Sequence, residues 1–260
     1  MTAAPASVID RLRAAGCVFA EDEAALLVAA AANPAELDDL ITQRVAGVPL
    51  EHVLGWVEFR GRRYAVDAGV FVPRRRTEFL AEQAVARTRA GAVVVELCCG
   101  CAAVGAAVAY AVAGVELHVA DVDAAATACA RRNVAAVGGR VHTGDLFEPL
   151  PAALRGQVDV LVANAPYVPT AAVALMPPEA RLHEPLVALD GGADGLTVLQ
   201  RVIAGAPEWL TRGGSVLVEC GADQASALRA AVAAAGLAPD VATSGDERDA
   251  TVVIGTAPVT

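Results

Sequence analysis

The sequence predicts an α/β fold, with a doubly wound parallel sheet covered by helices on both faces. Two observations lead to this prediction. Beyond residue 70, short runs of β-branched residues alternate with alanine-rich stretches of helical periodicity. Before that point, the pattern is helical and ends in an aromatic-rich turn. The runs that predict strands are 93–97, 117–121, 158–163, 215–219 and 251–254, and those that predict the first two helices of the sheet region are 102–112 and 124–137.

The N-terminal region is expected to form a smaller unit of its own. Residues 8–43 carry apolar residues at helical intervals and are interrupted at Gly16 and at Asn33, which precedes a proline, so two or three short helices fit. Residues 56–66 alternate around Gly61 and predict a β-hairpin. We therefore predict one domain over residues 1–70 and a second over residues 71–260.

Composition narrows the function classes. The chain has 30 acidic and 20 basic residues and a net charge of −10, which disfavours nucleic acid as a partner. Its apolar residues are spread out, with no run near the ~20 residues of a membrane-spanning helix, so no membrane partner is expected. Residues 1–7 carry no positive charge ahead of an apolar stretch, which favours a cytoplasmic location.

Two residue types exclude further chemistry. All 20 basic residues are arginine, and the lack of lysine excludes a Walker A phosphate loop, a Schiff-base enzyme and a protein kinase. Among the six cysteines, Cys98 and Cys101 have the spacing of one half of a zinc site, but no second pair exists at such spacing. We therefore expect no metal, and predict buried thiols.

Two strand ends carry features of a cofactor site. The loop after the first sheet strand, residues 98–105, is a run of small residues, where a ligand can approach the backbone and a helix can offer free amide donors. Only Gly100 and Gly105 are glycine, so the dinucleotide pattern is not met, and tight strand-to-helix packing explains the loop equally well. At the end of the next strand, Asp121 is placed to hold both hydroxyls of a ribose.

A further carboxylate follows the position expected for the third strand. Asp145 could accept a hydrogen bond from an adenine amino group while Leu146 or Phe147 covers the ring. Either Asp121 or Asp145 alone is more readily explained as a helix cap or turn residue. Their joint placement at successive strand ends favours a nucleoside-containing cofactor.

The tetrapeptide Asn164-Ala165-Pro166-Tyr167 follows the fourth strand. An amide side chain before a proline and an aromatic residue at a strand end is costly for structure alone, because the amide would be buried near the ligand edge of the sheet. This position therefore favours chemistry over a purely structural role.

The tetrapeptide resembles the Asn-Pro-Pro-Tyr signature of methyltransferases that act on amide or exocyclic amino nitrogens. It is most similar to the HemK/PrmC-type protein-(glutamine-N5) methyltransferases, the release factor glutamine methyltransferase family. The resemblance extends over nearly the whole chain. The other segments that carry it are 49–55, 58–61, 72–74, 77–78, 183–185, 188–192, 194–195 and 213–214, together with Glu219 and Gln224.

The chain also departs from the family pattern. These departures should leave cofactor binding intact, and they bear on whether the acceptor is a release factor. They are Glu96 for Asp, Cys98, Cys101 and Ala102 for Gly, Ser and Gly, Arg75 and Arg76 for Pro and Glu, and Ala165 for the first Pro.

The resemblance implies a Rossmann-like class I methyltransferase fold, with seven strands of which the last is antiparallel. It also implies S-adenosyl-L-methionine as the cofactor and S-adenosyl-L-homocysteine as its product. The cofactor-binding residues it implies are Glu96, Cys98, Gly100, Ala102, Asp121, Val122, Asp145, Leu146 and Asn164. The catalytic residues it implies are Asn164, Ala165, Pro166 and Tyr167.

In the mechanism that the resemblance implies, the Asn164 side-chain oxygen and the Ala165 carbonyl accept the two N–H bonds of a substrate amide. Tyr167 would stack on the planar group and Pro166 would fix its approach. The expected acceptor is a protein, such as a peptide-release factor. Three alternatives stay open at this point: a nucleic-acid amino-group methyltransferase, a nicotinamide-dependent oxidoreductase, and a non-catalytic scaffold that binds the cofactor or nothing.

Overall fold

A computed structural model describes residues 5–259 of the chain. Its N-terminal part consists of helices, as predicted, and they bury a small apolar cluster of their own that includes Leu12, Leu27 and Ile41. The break at Asn33 is a helix start, because its side chain accepts from the Glu36 N–H. These helices are α1 (Ala6–Ala14), α2 (Ala20–Ala30), α3 (Pro34–Val45) and α4 (Leu50–Leu54).

The predicted hairpin is present as β1 (Trp56–Phe59) and β2 (Arg62–Ala65). Its two-residue turn places Arg60 and Gly61 at φ values of 49° and 70°, the left-handed conformation that a tight hairpin requires. The buried hairpin side chains pack into the core of the large sheet rather than against the N-terminal helices. The boundary at residue 70 stays a prediction.

The strands of the large sheet are β3 (Val93–Leu97), β4 (Glu116–Asp121), β5 (Arg140–Thr143), β6 (Val158–Ala163), β7 (Leu210–Cys220), β8 (Ala238–Thr243) and β9 (Thr251–Thr256). These seven strands lie in the order β5-β4-β3-β6-β7-β9-β8. Of the seven, β9 alone runs antiparallel to its neighbours, so the prediction of seven strands with the last one antiparallel is confirmed.

Helices cover both faces of this sheet. Val94 belongs to one buried cluster and Val95 to another, because neighbouring side chains of a strand point to opposite faces. The doubly wound α/β prediction is therefore confirmed. The helices are α5 (Thr77–Arg87), α6 (Ala103–Ala111), α7 (Ala124–Val134), α8 (Thr170–Val173), α9 (Pro178–His183), α10 (Thr197–Trp209) and α11 (Ala225–Ala234).

Two features of the topology place the site. The chain order reverses between β3 and β6, which lie side by side at the centre of the sheet. In such sheets the crevice at the carboxyl ends of these two strands is where ligands bind. Within residues 5–259, no helix is long and apolar enough to cross a membrane.

Candidate active site

A cavity of about 270 Å³ lies at the carboxyl edge of the sheet. It brings together most of the predicted site residues: Glu96, Cys98, Gly100, Asp121, Val122, Asp145, Leu146, Asn164 and Pro166. Three predicted residues, Ala102, Ala165 and Tyr167, do not line it. Their proposed contacts with ligands remain predictions.

Residues 98–102, which we call the cofactor loop, have an unusual backbone. Cys98, Gly100 and Ala102 have φ values of 52°, 53° and 62°, all in the left-handed region. Glycine adopts this region freely, whereas a residue with a Cβ loses roughly 1–2 kcal/mol there. Cys98 and Ala102 stand where the family pattern has glycine, so this chain keeps the backbone shape without the residue that favours it. Ala102 is fully buried and serves as the N-cap of α6.

Asp121 joins the cofactor loop to the end of β4. Its Oδ2 atom accepts from the Gly100 N–H at 2.8 Å, and its Oδ1 atom accepts from the Asp123 N–H at 2.9 Å. Burial raises the pKa of Asp121, although these backbone donors oppose the effect. Because each carboxylate oxygen can accept more than one hydrogen bond, Asp121 remains able to accept from hydroxyl groups in the cavity.

Glu96 lies beneath the same loop and is 4% exposed. Its Oε2 atom accepts from the Gly105 N–H in the first turn of α6 at 2.8 Å. Burial raises the pKa of Glu96 to about 8, although the Gly105 N–H opposes this effect. Gly105 must be small, because a Cβ there would lie 2.7 Å from the Glu96 carboxylate.

Asp145 is paired with a residue that the sequence did not indicate. Arg201 of α10 donates to its Oδ2 atom at 2.6 Å, and both side chains are about half exposed. An exposed pair of this kind is weak, so Asp145 can still take part in binding a ligand. Arg201 and Val198 line the cavity from α10, which no motif in the sequence connected with the site.

Other lining residues lie in segments that the family resemblance had marked. Pro73 and Thr77 come from the segment around the start of α5, and Pro185 comes from the segment after α9. Their positions in the resemblance were the signal that could have assigned them to the site. Ala188 begins another such segment, and Phe71 and Val187 are further lining residues next to these segments.

The loop after β6, residues 164–167, is called the acceptor loop here. The Asn164 Nδ2 atom donates to the Thr77 hydroxyl at 3.2 Å. Within residues 5–259, neither the Asn164 Oδ1 atom nor the carbonyl of the buried Ala165 accepts a hydrogen bond. Two neighbouring acceptors at the end of β6 are therefore unused.

Tyr167 faces away from the cavity into a polar cluster. Its hydroxyl donates to the Glu219 Oε1 atom at 3.2 Å and accepts from Arg76 Nη1 at 3.3 Å. Burial raises the pKa of Tyr167 to about 12, with the nearby Glu219 carboxylate adding to this effect. Stacking of Tyr167 on a substrate stays a prediction, since this orientation uses the hydroxyl for support of the loop.

The acceptor loop is also held through its backbone. Gln224 donates to the Tyr167 carbonyl at 2.9 Å. Gly195 lies against that same carbonyl, and a Cβ at Gly191 would lie 2.7 Å from the Pro166 carbonyl. These close approaches require glycine at both positions.

The cysteines near the cavity show no sign of thiolate chemistry. Burial raises the pKa of the Cys98, Cys99 and Cys101 thiols. Within the part of the chain that the structure describes, no three His, Cys, Asp or Glu side chains gather as a metal site. The expectation of a metal-free reaction stays a prediction.

Comparison with known proteins agrees with this geometry. Residues 65–180 match the family model described as "Methyltransferase small domain". A solved methyltransferase from Pyrococcus furiosus shares the fold with a TM-score of 0.55, at 15% identity over 75% of this chain and 89% of its own. The fold and the site thus define an S-adenosylmethionine-dependent methyltransferase of the Rossmann-like class.

Curated relatives narrow this class. A release factor glutamine methyltransferase of Bordetella pertussis is 38% identical over 79% of this chain and 77% of its own length. One of Geobacter sulfurreducens is 37% identical over 74% and 69%. A ribosomal protein uL3 glutamine methyltransferase of B. pertussis is 39% identical over 70% and 63%. The chain belongs to the release factor glutamine methyltransferase family.

Proposed function

We propose that the protein transfers a methyl group from S-adenosylmethionine to the side-chain amide nitrogen of a glutamine in a protein substrate. The observation that carries this proposal is the pair of unused acceptors at the acceptor loop, the Asn164 Oδ1 atom and the Ala165 carbonyl. A primary amide presents two N–H donors, so two adjacent acceptors match it. The names of the curated relatives support glutamine as the methylated residue.

The cavity residues fit S-adenosylmethionine. Asp121 would accept from the ribose hydroxyls, and Asp145 would accept from the adenine amino group beside the apolar side chain of Leu146. Gly100, at the centre of the cofactor loop, leaves room for close approach of a ligand to the backbone. When bound, this cofactor supplies an electrophilic methyl group on a sulfonium ion.

The residues of the acceptor loop address the main difficulty of the reaction. An amide nitrogen is a poor nucleophile because its lone pair is delocalised into the carbonyl group. If Asn164 and the Ala165 carbonyl accept both N–H bonds, the nitrogen is held in one orientation towards the methyl group. The entropy lost in aligning it is then lost on binding and does not add to the barrier of the reaction. The same acceptors stabilise positive charge that develops on the nitrogen. After the methyl group had moved from sulfur to nitrogen, the nitrogen would release its extra proton to water, and S-adenosylhomocysteine would remain as the product.

We further propose that the acceptor is a peptide-release factor or a ribosomal protein, as the names of the relatives suggest. The test is methyl transfer from labelled S-adenosylmethionine to a recombinant bacterial release factor, to ribosomal protein uL3 and to a bacterial extract. The expected label resists nuclease, is lost with protease, and maps to a glutamine by mass spectrometry. Nuclease-sensitive label would instead indicate a nucleic-acid amino group. Cofactor binding without any transfer would indicate a scaffold.

Residues 1–70 are proposed to select the acceptor. The helices of this region have their own apolar cluster, while Val18 and Phe19 are 82% and 68% exposed at the start of α2. Arg44 is buried and binds both Glu23 and Glu179, so α3 is joined to α9, which ends two residues before the cavity-lining Pro185.

Replacing both Val18 and Phe19 by serine should raise KM for the acceptor about tenfold, the size of one interface contact worth more than ~1 kcal/mol. The affinity for S-adenosylmethionine should not change. Val259→Ser is the matched control, because Val259 is 77% exposed and lies beside Gly213. Gly213 is near the start of β7, whereas the cavity lies at the carboxyl ends of the strands. If Val259→Ser raised KM for the acceptor as much as the double substitution, the proposal that residues 1–70 select the acceptor would be contradicted.

A further inference from the structure

Asn133, near the end of α7, does not line the cavity, but its side chain bonds to the cofactor loop. Its Nδ2 atom donates to the Cys101 carbonyl at 2.8 Å. The same atom donates to the Ala65 carbonyl at 2.8 Å, and the Oδ1 atom accepts from the Ala65 N–H at 2.8 Å. One amide group therefore joins the end of β2, in the hairpin, to the cofactor loop.

The partners of this amide fix its orientation. A backbone carbonyl can only accept a hydrogen bond, and a backbone N–H can only donate one. If the amide were turned over, its oxygen would face two carbonyls and its NH₂ group would face an N–H. Both N–H bonds and the oxygen of Asn133 are thus used in a single arrangement.

The Cys101 carbonyl lies next to a strained residue. It directly precedes Ala102, which has a φ of 62°, a conformation that a residue with a Cβ rarely adopts. Among residues 5–259, this carbonyl accepts a hydrogen bond from Asn133 alone. Cys101 is 1% exposed, so loss of Asn133 would leave a buried acceptor without a partner. The bond from Asn133 therefore supports the left-handed turn at Ala102.

Asp121 holds the same loop one residue earlier, since it accepts from the Gly100 N–H at 2.8 Å. The loop is thus held through one N–H and one carbonyl, by side chains from the end of β4 and from α7. Gly100 and Cys101 both line the cavity. The shape of the cavity at this point depends on both supports.

We infer that Asn133 is a positioning residue for the cofactor. It holds the cofactor loop in the shape that binds S-adenosylmethionine, with the end of the hairpin as its support. Because all three of its bonds go to backbone atoms, they do not depend on which side chains the loop carries. This inference rests on the proposed binding of S-adenosylmethionine in the cavity, and it does not depend on the acceptor.

The first test measures the affinity for S-adenosylmethionine by calorimetry, without an acceptor. Asn133→Ala removes all three bonds, whereas Asn133→Asp keeps an oxygen for the Ala65 N–H but loses the donor to the Cys101 carbonyl. Both variants should bind the cofactor about 5- to 10-fold more weakly, because affinity falls with the fraction of molecules whose loop already has the binding shape. If Asn133→Asp bound as tightly as the unaltered protein, the inference would be overturned.

Cys129→Ala is the matched control for a loosened hairpin. Cys129, also in α7, is fully buried, and its Sγ atom donates to the same Ala65 carbonyl at 3.1 Å. This variant should lower the melting temperature and leave the affinity for the cofactor within about twofold. Affinities are compared at a temperature at which melting curves show every variant folded. An equal loss of affinity in Cys129→Ala and Asn133→Ala would mean that Asn133 acts only through general stability.

A rescue experiment tests the route through the left-handed turn. Glycine adopts this conformation freely, so Ala102→Gly should restore about threefold or more of the affinity that Asn133→Ala has lost. In the unaltered protein, where the turn is already held, Ala102→Gly should change the affinity by less than about twofold. Absence of any rescue would show that Asn133 does not act through the turn.

Kinetics separate this inference from the proposed function. With labelled S-adenosylmethionine and recombinant release factor, Asn133→Ala should raise KM for the cofactor about as much as it weakens binding, while kcat at saturating cofactor stays within about twofold. The expected affinities without methyl transfer to any protein would refute the proposed function and leave the inference standing. Full affinity of Asn133→Ala in an enzyme that methylates glutamine would refute the inference alone, and an unaltered protein that does not bind S-adenosylmethionine would refute both.

Discussion

The cofactor loop and the acceptor loop follow neighbouring strands, β3 and β6, yet their conformations are determined in different ways. The cofactor loop has a particular backbone, with three left-handed residues between Cys98 and Ala102. The acceptor loop is held by side chains from elsewhere in the chain, namely Thr77, Glu219 and Gln224.

This difference accounts for where the chain departs from its family. The cofactor loop differs at Cys98, Cys101 and Ala102, whereas the acceptor loop differs only at Ala165. A loop specified by backbone shape can accept other small residues at a conformational cost. A loop held by directed hydrogen bonds cannot lose a partner without leaving a buried polar group unpaired. Changes in the acceptor loop should thus affect rate, and changes near the cofactor loop should affect affinity and stability.

The largest expected effect is that of Asn164→Ala, which removes the proposed acceptor for the substrate amide. Single-turnover methyl transfer should fall about 10²- to 10³-fold, as for loss of one preorganised electrostatic contact. Asn33→Ala is the control: it removes the N-cap of α3 and should cost about 1 kcal/mol of stability without changing the rate. Full activity of a folded Asn164→Ala variant would remove the basis of the proposed mechanism.

A smaller effect is expected at the other end of the cavity. Asp121→Ala should weaken binding of S-adenosylmethionine by about 1.5–3 kcal/mol, the range for a hydrogen bond to a charged group. Calorimetry measures the affinity directly, and saturating cofactor should restore much of the turnover. Unchanged affinity would mean that Asp121 only supports the Gly100 and Asp123 N–H groups and that the cofactor is held elsewhere.

The buried Glu96 carboxyl predicts how stability depends on pH. Its pKa is about 8 in the folded protein, against an ordinary value of 4.5. Because the pKa is raised in the folded protein, the contribution of protonated Glu96 to the free energy of unfolding is complete below about pH 4.5. It falls by up to about 1.4 kcal/mol per pH unit as the pH rises from there, and it is lost as the pH passes through 8. Denaturation curves of Glu96→Gln should therefore vary less between pH 5 and 8 than those of the unaltered protein or of the control Glu58→Gln. Parallel pH profiles would contradict this.

The smallest effect tests the cofactor loop itself. Ala102→Gly should raise the free energy of unfolding by about 0.5–1 kcal/mol, because glycine relieves the left-handed strain but adds freedom to the unfolded chain. The matched control is Ala106→Gly in α6, also fully buried, where glycine should cost about 1 kcal/mol. If both variants lost stability equally, the backbone at Ala102 would not be strained.

Much of the fold was predictable because hydrophobic periodicity is a local signal. Strands β3 and β6 were predicted with the bounds they have. Strand β8 was missed, since it is an edge strand in which no residue is buried and contains Pro239, which is tolerated only at such positions. The predicted helix from residue 102 begins at Ala103, because Ala102 is left-handed. The one from 124 ends at Val134 and continues as a 3₁₀ turn.

The site was predictable to the extent that its residues end strands. Asp121, Asp145 and Asn164 lie at or just beyond the ends of three different strands, and the parallel arrangement brings them to one edge. Arg201 could not be predicted, because its contact with Asp145 spans 56 positions and depends on how α10 packs. The orientation of Tyr167 was equally inaccessible, since it depends on Glu219, 52 positions further on.

The glycines at 191 and 195 show that the shape of the acceptor loop constrains positions outside the cavity. Neither lines the cavity, yet each lies so close to a carbonyl of the acceptor loop that even a methyl group would displace it. Because there is no space for a side chain between either glycine and the acceptor loop, we expect both positions to accept only glycine. We therefore expect substitutions at these two buried glycines to reduce the proposed activity, as substitutions of residues that line the cavity would.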